Sequence, residues 1–158
     1  MRKQVEISTL CLIIKNRRIL LGKKKRGLGK GFWNGFGGRL EKNETIEEAA
    51  ARETREECGI KVLKMEVAGR IFFKARHFKN DLLVYFFKVL KFTGKPQETS
   101  EMKPKWFNLK NIPFDKMWPD DRFWMPIFLK NQQFKGTVVF DKNFSIIKNT
   151  IKKALLKQ

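Results

Sequence analysis

The segment from Glu44 to Ile60 constrains this chain more than any other, because it specifies a helix together with both of its ends. Thr45 with Glu48 three positions on forms a capping box, and Gly59 followed by Ile60 supplies a C-terminal stop with its hydrophobic contact. At about 100° per residue, Ala49, Ala50, Glu53, Glu56 and Glu57 all fall within roughly 80° of Ile46. Three glutamates thus share the side of the helix that carries the apolar residues, while Glu47, Glu48, Arg52 and Arg55 take the other side. A merely solvated charge run would turn its acids outward. Carboxylates facing the protein body are costly unless a cation compensates them. Oxygen ligands without a His or Cys cluster suit a hard divalent ion, Mg²⁺ first. On the angles alone, the alternative is a buried ion-pair network with neighbouring Lys or Arg.

Charge distribution singles out the same segment. The 158 residues carry 35 Lys and Arg against 16 Asp and Glu, a net charge of +19 that draws polyanions such as nucleotides, nucleic acid or acidic lipid. Residues 1–40 hold 11 basic and 1 acidic side chains, residues 41–60 hold 3 and 7, and residues 61–158 hold 21 and 8. A compact acidic block inside a basic protein is where a metal is to be sought. No apolar run, Leu10 to Ile14 included, approaches the ~20 residues that span a bilayer. Arg2 and Lys3 open the chain, but Glu6 breaks any signal-peptide core, and Ala154 to Gln158 match no retention or peroxisomal address. Cys11 and Cys58 make neither a disulfide framework nor a four-ligand zinc site. The expectation is a cytoplasmic protein without a membrane partner, monomeric by default, with nuclear or mitochondrial pools open to it.

No repeat, low-complexity stretch or linker divides the chain, so residues 1–158 read as one domain. Val5, Ile7, Thr9, Cys11 and Ile13 alternate as a half-buried strand, with Ile19–Leu21 as its hairpin partner. Gly22 to Gly31, rich in Gly and like charge, reads as a basic loop. Strands follow at 62–75 and 81–93 with Asn80-Asp81 at the turn, and shorter ones at Trp106–Leu109 and Thr137–Phe140. Helices are expected at 44–58, at about 120–131 and at 145–156, where Ile146, Ile147, Thr150, Ile151, Ala154 and Leu155 keep helical spacing. The element order suggests a mixed sheet flanked by helices.

Gly38, Glu44, Arg52-Glu53 and Thr54-Arg55-Glu56-Glu57-Cys58-Gly59-Ile60 together resemble the Nudix box, a loop-helix-loop signature that here occupies residues 38–60. Thr54 is the one soft departure, standing where the family more often has an aliphatic residue. The resemblance implies an α/β/α sandwich with a mixed sheet and Mg²⁺-dependent hydrolysis of nucleoside diphosphates linked to another group, with Mn²⁺ able to substitute. It implies that Glu53, Glu56 and Glu57 are catalytic metal ligands, one of them also orienting or deprotonating water. Gly37 and Glu101 join the metal set by the same resemblance, and Glu44 with Arg52 forms a structural ion pair. Phosphoryl transfer asks mainly for positioning and charge neutralisation, which a carboxylate cluster beside a basic loop supplies. Lys24 is the candidate phosphate contact, although Lys23–Arg26 also suits a solvated turn or an import or RNA-binding patch.

Gly29–Gly38 upstream, and Trp106-Phe107, Ile112–Phe114 and Met117–Trp124 downstream, look like the animal-type oxidised-purine triphosphatase branch of that family. The branch hydrolyses 8-oxo-dGTP and 2-hydroxy-dATP to monophosphate and pyrophosphate, sanitising the nucleotide pool. By this resemblance Thr9, Lys24, Leu28, Asn34, Gly38, Trp118, Asp120, Asp121 and Trp124 bind the substrate. Physically, Trp118 offers a stacking face, Asn34 both a donor and an acceptor, and two adjacent carboxyls in one pocket tend to share a proton. Pro119-Asp120-Asp121 equally suits a helix start, and Trp118 a core position. Phe123, Trp124, Ile127 and Phe128 also read as packing, Pro126 as a helix kink or break, Cys58 as structural, and His77 carries no assigned role. Leu28 stands where the branch usually has Phe. Hydrolysis of dinucleoside polyphosphates or RNA 5′ ends, or a non-catalytic RNA-binding module, are the competing readings, with nucleic acid a secondary partner on charge grounds.

Overall fold

A computed structural model describes residues 3–156, so the readings that rest on Arg2 and on Lys157–Gln158 lie outside the described residues. Its frame is a nine-stranded mixed sheet in the order β3-β2-β1-β5-β4-β7-β8, with β6 paired to β2 and β9 to β7. The strands are β1 (Val5–Lys15), β2 (Arg18–Lys24), β3 (Trp33–Asn34), β4 (Lys61–Ala75), β5 (Asp81–Thr93), β6 (Met102–Asn108), β7 (Phe134–Phe140), β8 (Ile146–Asn149) and β9 (Lys152–Lys153). Helix α1 (Ile46–Cys58) lies against β1, β4 and β6 on one face, and α2 (Asp121–Leu129) against β7 and β9. The β1–β5 and β4–β7 pairs are parallel and the other pairs antiparallel.

Each sheet face has its own core. Cys11, Ile13, Leu20, Phe36, Phe87 and Met102 pack with Ala50 and Cys58 of α1. Leu12, Leu21, Ile71, Phe86, Phe134 and Val138 pack with Trp124, Met125 and Phe128 of α2. Strand β1 runs through the middle and is buried on both faces, so the alternation through Thr9, Cys11 and Ile13 marks only half of its burial. That correction matters for function, because a central strand fixes Thr9 rigidly.

The capping box of α1 is formed: Thr45 Oγ1 accepts from Glu48 N–H at 3.1 Å, and Glu48 Oε1 from Thr45 N–H at 3.2 Å. The helix closes in the left-handed conformation at Gly59, φ 78°. Its buried stripe is Ala50, Thr54 and Cys58 with Ala49, which corrects the expected core face. The glutamates sit at the margin of that stripe. Thr54 is buried because its Oγ1 donates to Ala50 O at 2.7 Å, a back-bond that satisfies the hydroxyl locally.

Three further expectations are corrected. The segment expected as a helix at 145–156 is β8 and β9, since edge pairing of Val139 with Lys148 and of Lys135 with Lys152 outweighs the helical spacing of its isoleucines. The basic loop begins later than Gly22, because β2 pairs with β3 and β6 up to Lys24. Helix α2 continues through Pro126, so of the expected kink or break the break does not occur. Among the described residues, no helix is long and apolar enough to cross a membrane.

Candidate active site

Two glycines join the sheet to α1. The backbone of Gly38 bridges to Thr9, with Thr9 N–H donating to Gly38 O at 2.9 Å. A Cβ on Gly37 would lie 1.8 Å from Thr9 O, and one on Gly38 would lie 2.6 Å from the Glu53 carboxyl carbon. Only glycine allows that approach. Gly37 N–H donates to Glu57 Oε1 at 2.8 Å, tying the far end of α1 to the same turn.

Burial is the main force on Glu57 and pushes its carboxyl up to about 8, opposed by the Gly37 N–H, reinforced by Glu53, and countered by Lys24. Burial likewise raises Glu53, against the pull of Arg52. Arg52 gathers the rest of the acidic block. Its Nε donates to Glu44 Oε2 at 2.7 Å and its Nη2 to Glu44 Oε1 at 3.1 Å, a bidentate clamp, while Nη1 reaches Glu53 at 2.9 Å and Glu56 at 3.3 Å. The expected Glu44–Arg52 pair is present, and Glu41 N–H also donates to Glu44 at 3.0 Å. The expectation that all three glutamates lie on the buried face fails for Glu56, whose side chain is 56% exposed against 21% for Glu53. Glu101 pairs with Arg26 across the loop, and its charge is felt at Glu57.

Among the described residues no three acidic, His or Cys side chains converge into a closed metal cluster, because the Arg52 guanidinium stands between Glu53 and Glu56. The donor set nonetheless fits a hard divalent ion. Glu57 is a carboxylate short of positive charge, Glu53 is pressed against the Gly38 backbone, and every available ligand atom is oxygen.

A cavity of about 300 Å³ opens beside this turn. Thr9, Lys24, Gly37 and Gly38 line its metal-side wall, and Leu28, Asn34, Trp118, Asp120 and Asp121 the remainder, so the structure brings these nine predicted residues together. Asn34 Oδ1 accepts from Gly35 N–H at 2.9 Å, which fixes the orientation of the amide and leaves its NH2 group as a donor. Trp118 is braced edge-on by Phe32 and Phe144, with centroids at 5.4 and 5.1 Å. Asp120 and Asp121 are each only 3% exposed. Trp124 Nε1 sits 3.1 Å from Asp120 Oδ2 and 3.1 Å from Asp121 Oδ1, while Asp121 Oδ2 is buried with no partner. Burial raises both carboxyls, and Asp121, facing the Asp120 charge, is held well above the carboxylate range. Two carboxyls raised side by side disfavour being ionised together.

Trp124 is the exception among the residues nominated to bind substrate, and the glutamates nominated for the metal stand outside the cavity lining. The Trp124 ring is fully buried between Phe86 and Phe134 and does not line the cavity; it acts on the pair through its indole N–H. Phe123, expected to pack, is 46% exposed. Sequence reasoning missed the apolar wall formed by Leu10, Phe73, Leu82, Val84, Phe86 and Phe140, together with Phe78 from the β4–β5 turn. The inward alternation of β4, β5 and β7 carried that signal.

The NUDIX domain family matches residues 5–128. A mouse protein named oxidized purine nucleoside triphosphate hydrolase is 40% identical over 144 residues, covering 91% of this chain and 92% of its own. Its zebrafish namesake is 40% identical over 146 residues, covering 92% and 94%. Among solved structures, a MutT protein of Bacillus halodurans superposes with a TM-score of 0.83 at 23% identity, over 93% of this chain and 97% of that one, a likeness of fold. The glycine turn, the clamped acidic helix and these relatives agree, and the chain belongs to the Nudix hydrolase family.

Proposed function

We propose that the whole chain acts as one catalytic domain that hydrolyses oxidised purine nucleoside triphosphates to the monophosphate and pyrophosphate, using Mg²⁺ or, in its place, Mn²⁺. The observation that carries the substrate half is the Asp120–Asp121 pair, buried at the cavity wall with an unpartnered oxygen on Asp121. A buried polar atom without a partner is costly, and a base edge offering complementary groups removes that cost. Trp118 supplies the stacking face, and the Asn34 amide supplies a donor to the base. Because one proton is shared, either carboxyl can present the O–H, and one pocket reads more than one oxidised purine.

The phosphates run from the base toward the Gly37–Gly38 turn and Lys24, which neutralises charge from the cavity wall. Glu53, Glu57 and Glu56 would hold the divalent ion, with the Gly37 carbonyl and Glu101 as further oxygens, and the bound ion supplies charge neutralisation at the phosphates. Glu57, whose affinity for a proton is raised by burial, is suited to accept one from the attacking water. Water adds its oxygen to phosphorus, and the bridging P–O bond breaks to release the two products. Arg52 positions Glu53 and Glu56 for this task from the far side. The mouse and zebrafish names support the substrate class.

The test is a ranking across 8-oxo-dGTP, 2-hydroxy-dATP, dGTP and dATP for Asn34→Ala and Asp120→Asn. Both variants are expected to lose discrimination between damaged and undamaged purines more than they lose metal affinity. An equal fall for all four substrates would remove them as base readers.

A further inference from the structure

The face of the sheet turned away from the nucleotide cavity carries a charge arrangement that the hydrolytic site does not use. Arg70 on β4 is directly opposite Lys135 on β7, and Lys135 is directly opposite Lys152 on β9, so three cations form one row across three neighbouring strands. Two positions along β4 the row is Leu83, Phe72 and Thr137, and beyond it Lys74, Val139 and Lys148 follow. Adjacent strands lie only ~4.8 Å apart, and like charges placed directly opposite repel. Asp81, which opens β5 next to the Phe73–Leu82 pair, is an acid beside Lys74, whereas the Arg70–Lys135–Lys152 row has no acidic cross-strand neighbour. The stretch from Gly69 to Ala75 and all of β7, β8 and β9 lack a carboxylate, and among the described residues none of these five cations takes part in an ion pair.

All five cations are exposed, and the ground beside them is half-exposed: Phe72, Leu83 and Thr137 floor a depression of about 340 Å³ along the Arg70–Lys135–Lys152 row. Helix α1 covers this face only as far as Tyr85, which packs at the edge of its core. The remaining sheet is open.

We propose that this open face is a second binding surface, for single-stranded nucleic acid. Rows of cations complement a phosphate backbone, the half-exposed Tyr85 ring offers a face on which an unpaired base stacks, and Phe72 with the Lys74 ammonium 5.7 Å from its centroid offers a cation beside an apolar surface. A flat sheet with a shallow floor projects no helix or ribbon into a duplex groove, which favours a single strand over a duplex. The repulsion within the Arg70–Lys135–Lys152 row is relieved by the bound polyanion.

The experiment follows a fluorescently labelled 20-nucleotide oligouridine by anisotropy between 50 and 200 mM salt, using the full chain. Wild type is expected to bind, with affinity falling steeply with salt. Arg70→Gln/Lys135→Gln/Lys152→Gln is expected to bind at least tenfold more weakly at 50 mM, with a log–log salt slope smaller by roughly 2, from about 0.7 per lost contact. Its hydrolysis of a small triphosphate should stay within twofold of wild type. Its thermal midpoint should be unchanged or higher, whereas a row that served stability would lower it. Lys64→Gln/Lys91→Gln/Lys110→Gln removes the same charge elsewhere on the surface and should keep most of the binding. Equal loss in that control, no binding by wild type at 50 mM, equal affinity for a duplex, or capture by phosphatidylserine vesicles without binding to the oligonucleotide would each overturn the proposal.

Discussion

Glu57→Gln should make the metal-free protein more stable while removing most of its turnover. Burial beside Glu53 raises this carboxyl from 4.5 to about 8 on folding. A carboxyl with a raised folded pKa binds its proton more tightly in the native state, so it costs nothing below about pH 4.5 and destabilises increasingly as pH climbs toward 8. At about 1.4 kcal/mol per pH unit, the raised proton affinity of Glu57 costs about 3 kcal/mol at pH 7, trimmed toward about 2 kcal/mol by the water that its partial exposure admits. Glutamine keeps the acceptor for the Gly37 N–H and removes the charge. Urea unfolding with chelator, followed by tryptophan fluorescence, should therefore show the variant more stable by about 2–3 kcal/mol at pH 7 and by under about 1 kcal/mol at pH 5. Added Mg²⁺ should raise the midpoint of wild type and leave the variant nearly unmoved. A difference independent of pH, or a variant less stable throughout, would refute the assignment of Glu57 as a buried carboxylate awaiting a cation.

Other outcomes follow from the same geometry. Gly38→Ala places a methyl against the Glu53 carboxyl carbon and should abolish activity and Mg²⁺-dependent stabilisation together, read by turnover and a thermal shift with and without metal. Thr54→Val removes a hydroxyl already satisfied within the helix and should change unfolding free energy by under about 1 kcal/mol, measured by urea titration. Leu28→Phe adds an aromatic face at the cavity, where Leu28 is 54% exposed, and should lower KM for a purine triphosphate by about fivefold, equivalent to about 1 kcal/mol of added stacking.

Local sequence signals located what depends on local chemistry. The capping box and Gly59 predicted α1, because caps are decided within a turn or two, and the resemblance to the Nudix box supplied the Glu44–Arg52 clamp. The rotation of the buried stripe toward Thr54 was not legible, since a helix wheel says which residues share a side but not which side the sheet covers. The isoleucines at 146, 147 and 151 kept helical spacing, yet Ile146 and Ile147 lie in β8 and Ile151 in the link to β9, because β7 offered an unpaired edge that only the assembled sheet reveals. The same dependence on assembly hid the apolar cavity wall, whose residues come from β1, β4, β5 and β7. For Trp124, the resemblance suggested contact with the substrate and the residue pattern suggested packing; packing between Phe86 and Phe134 leaves only its N–H for the aspartates.

The most direct test of the account is the ratio of kcat/KM for 8-oxo-dGTP over dGTP with Mg²⁺, measured by pyrophosphate release against a Glu57→Gln blank. A ratio well above one, with 2-hydroxy-dATP likewise preferred over dATP, is the predicted result. A ratio near one, or turnover confined to a dinucleoside polyphosphate or a capped RNA, would contradict the reading of the Asp120–Asp121 pocket while leaving the fold and the acidic helix in place.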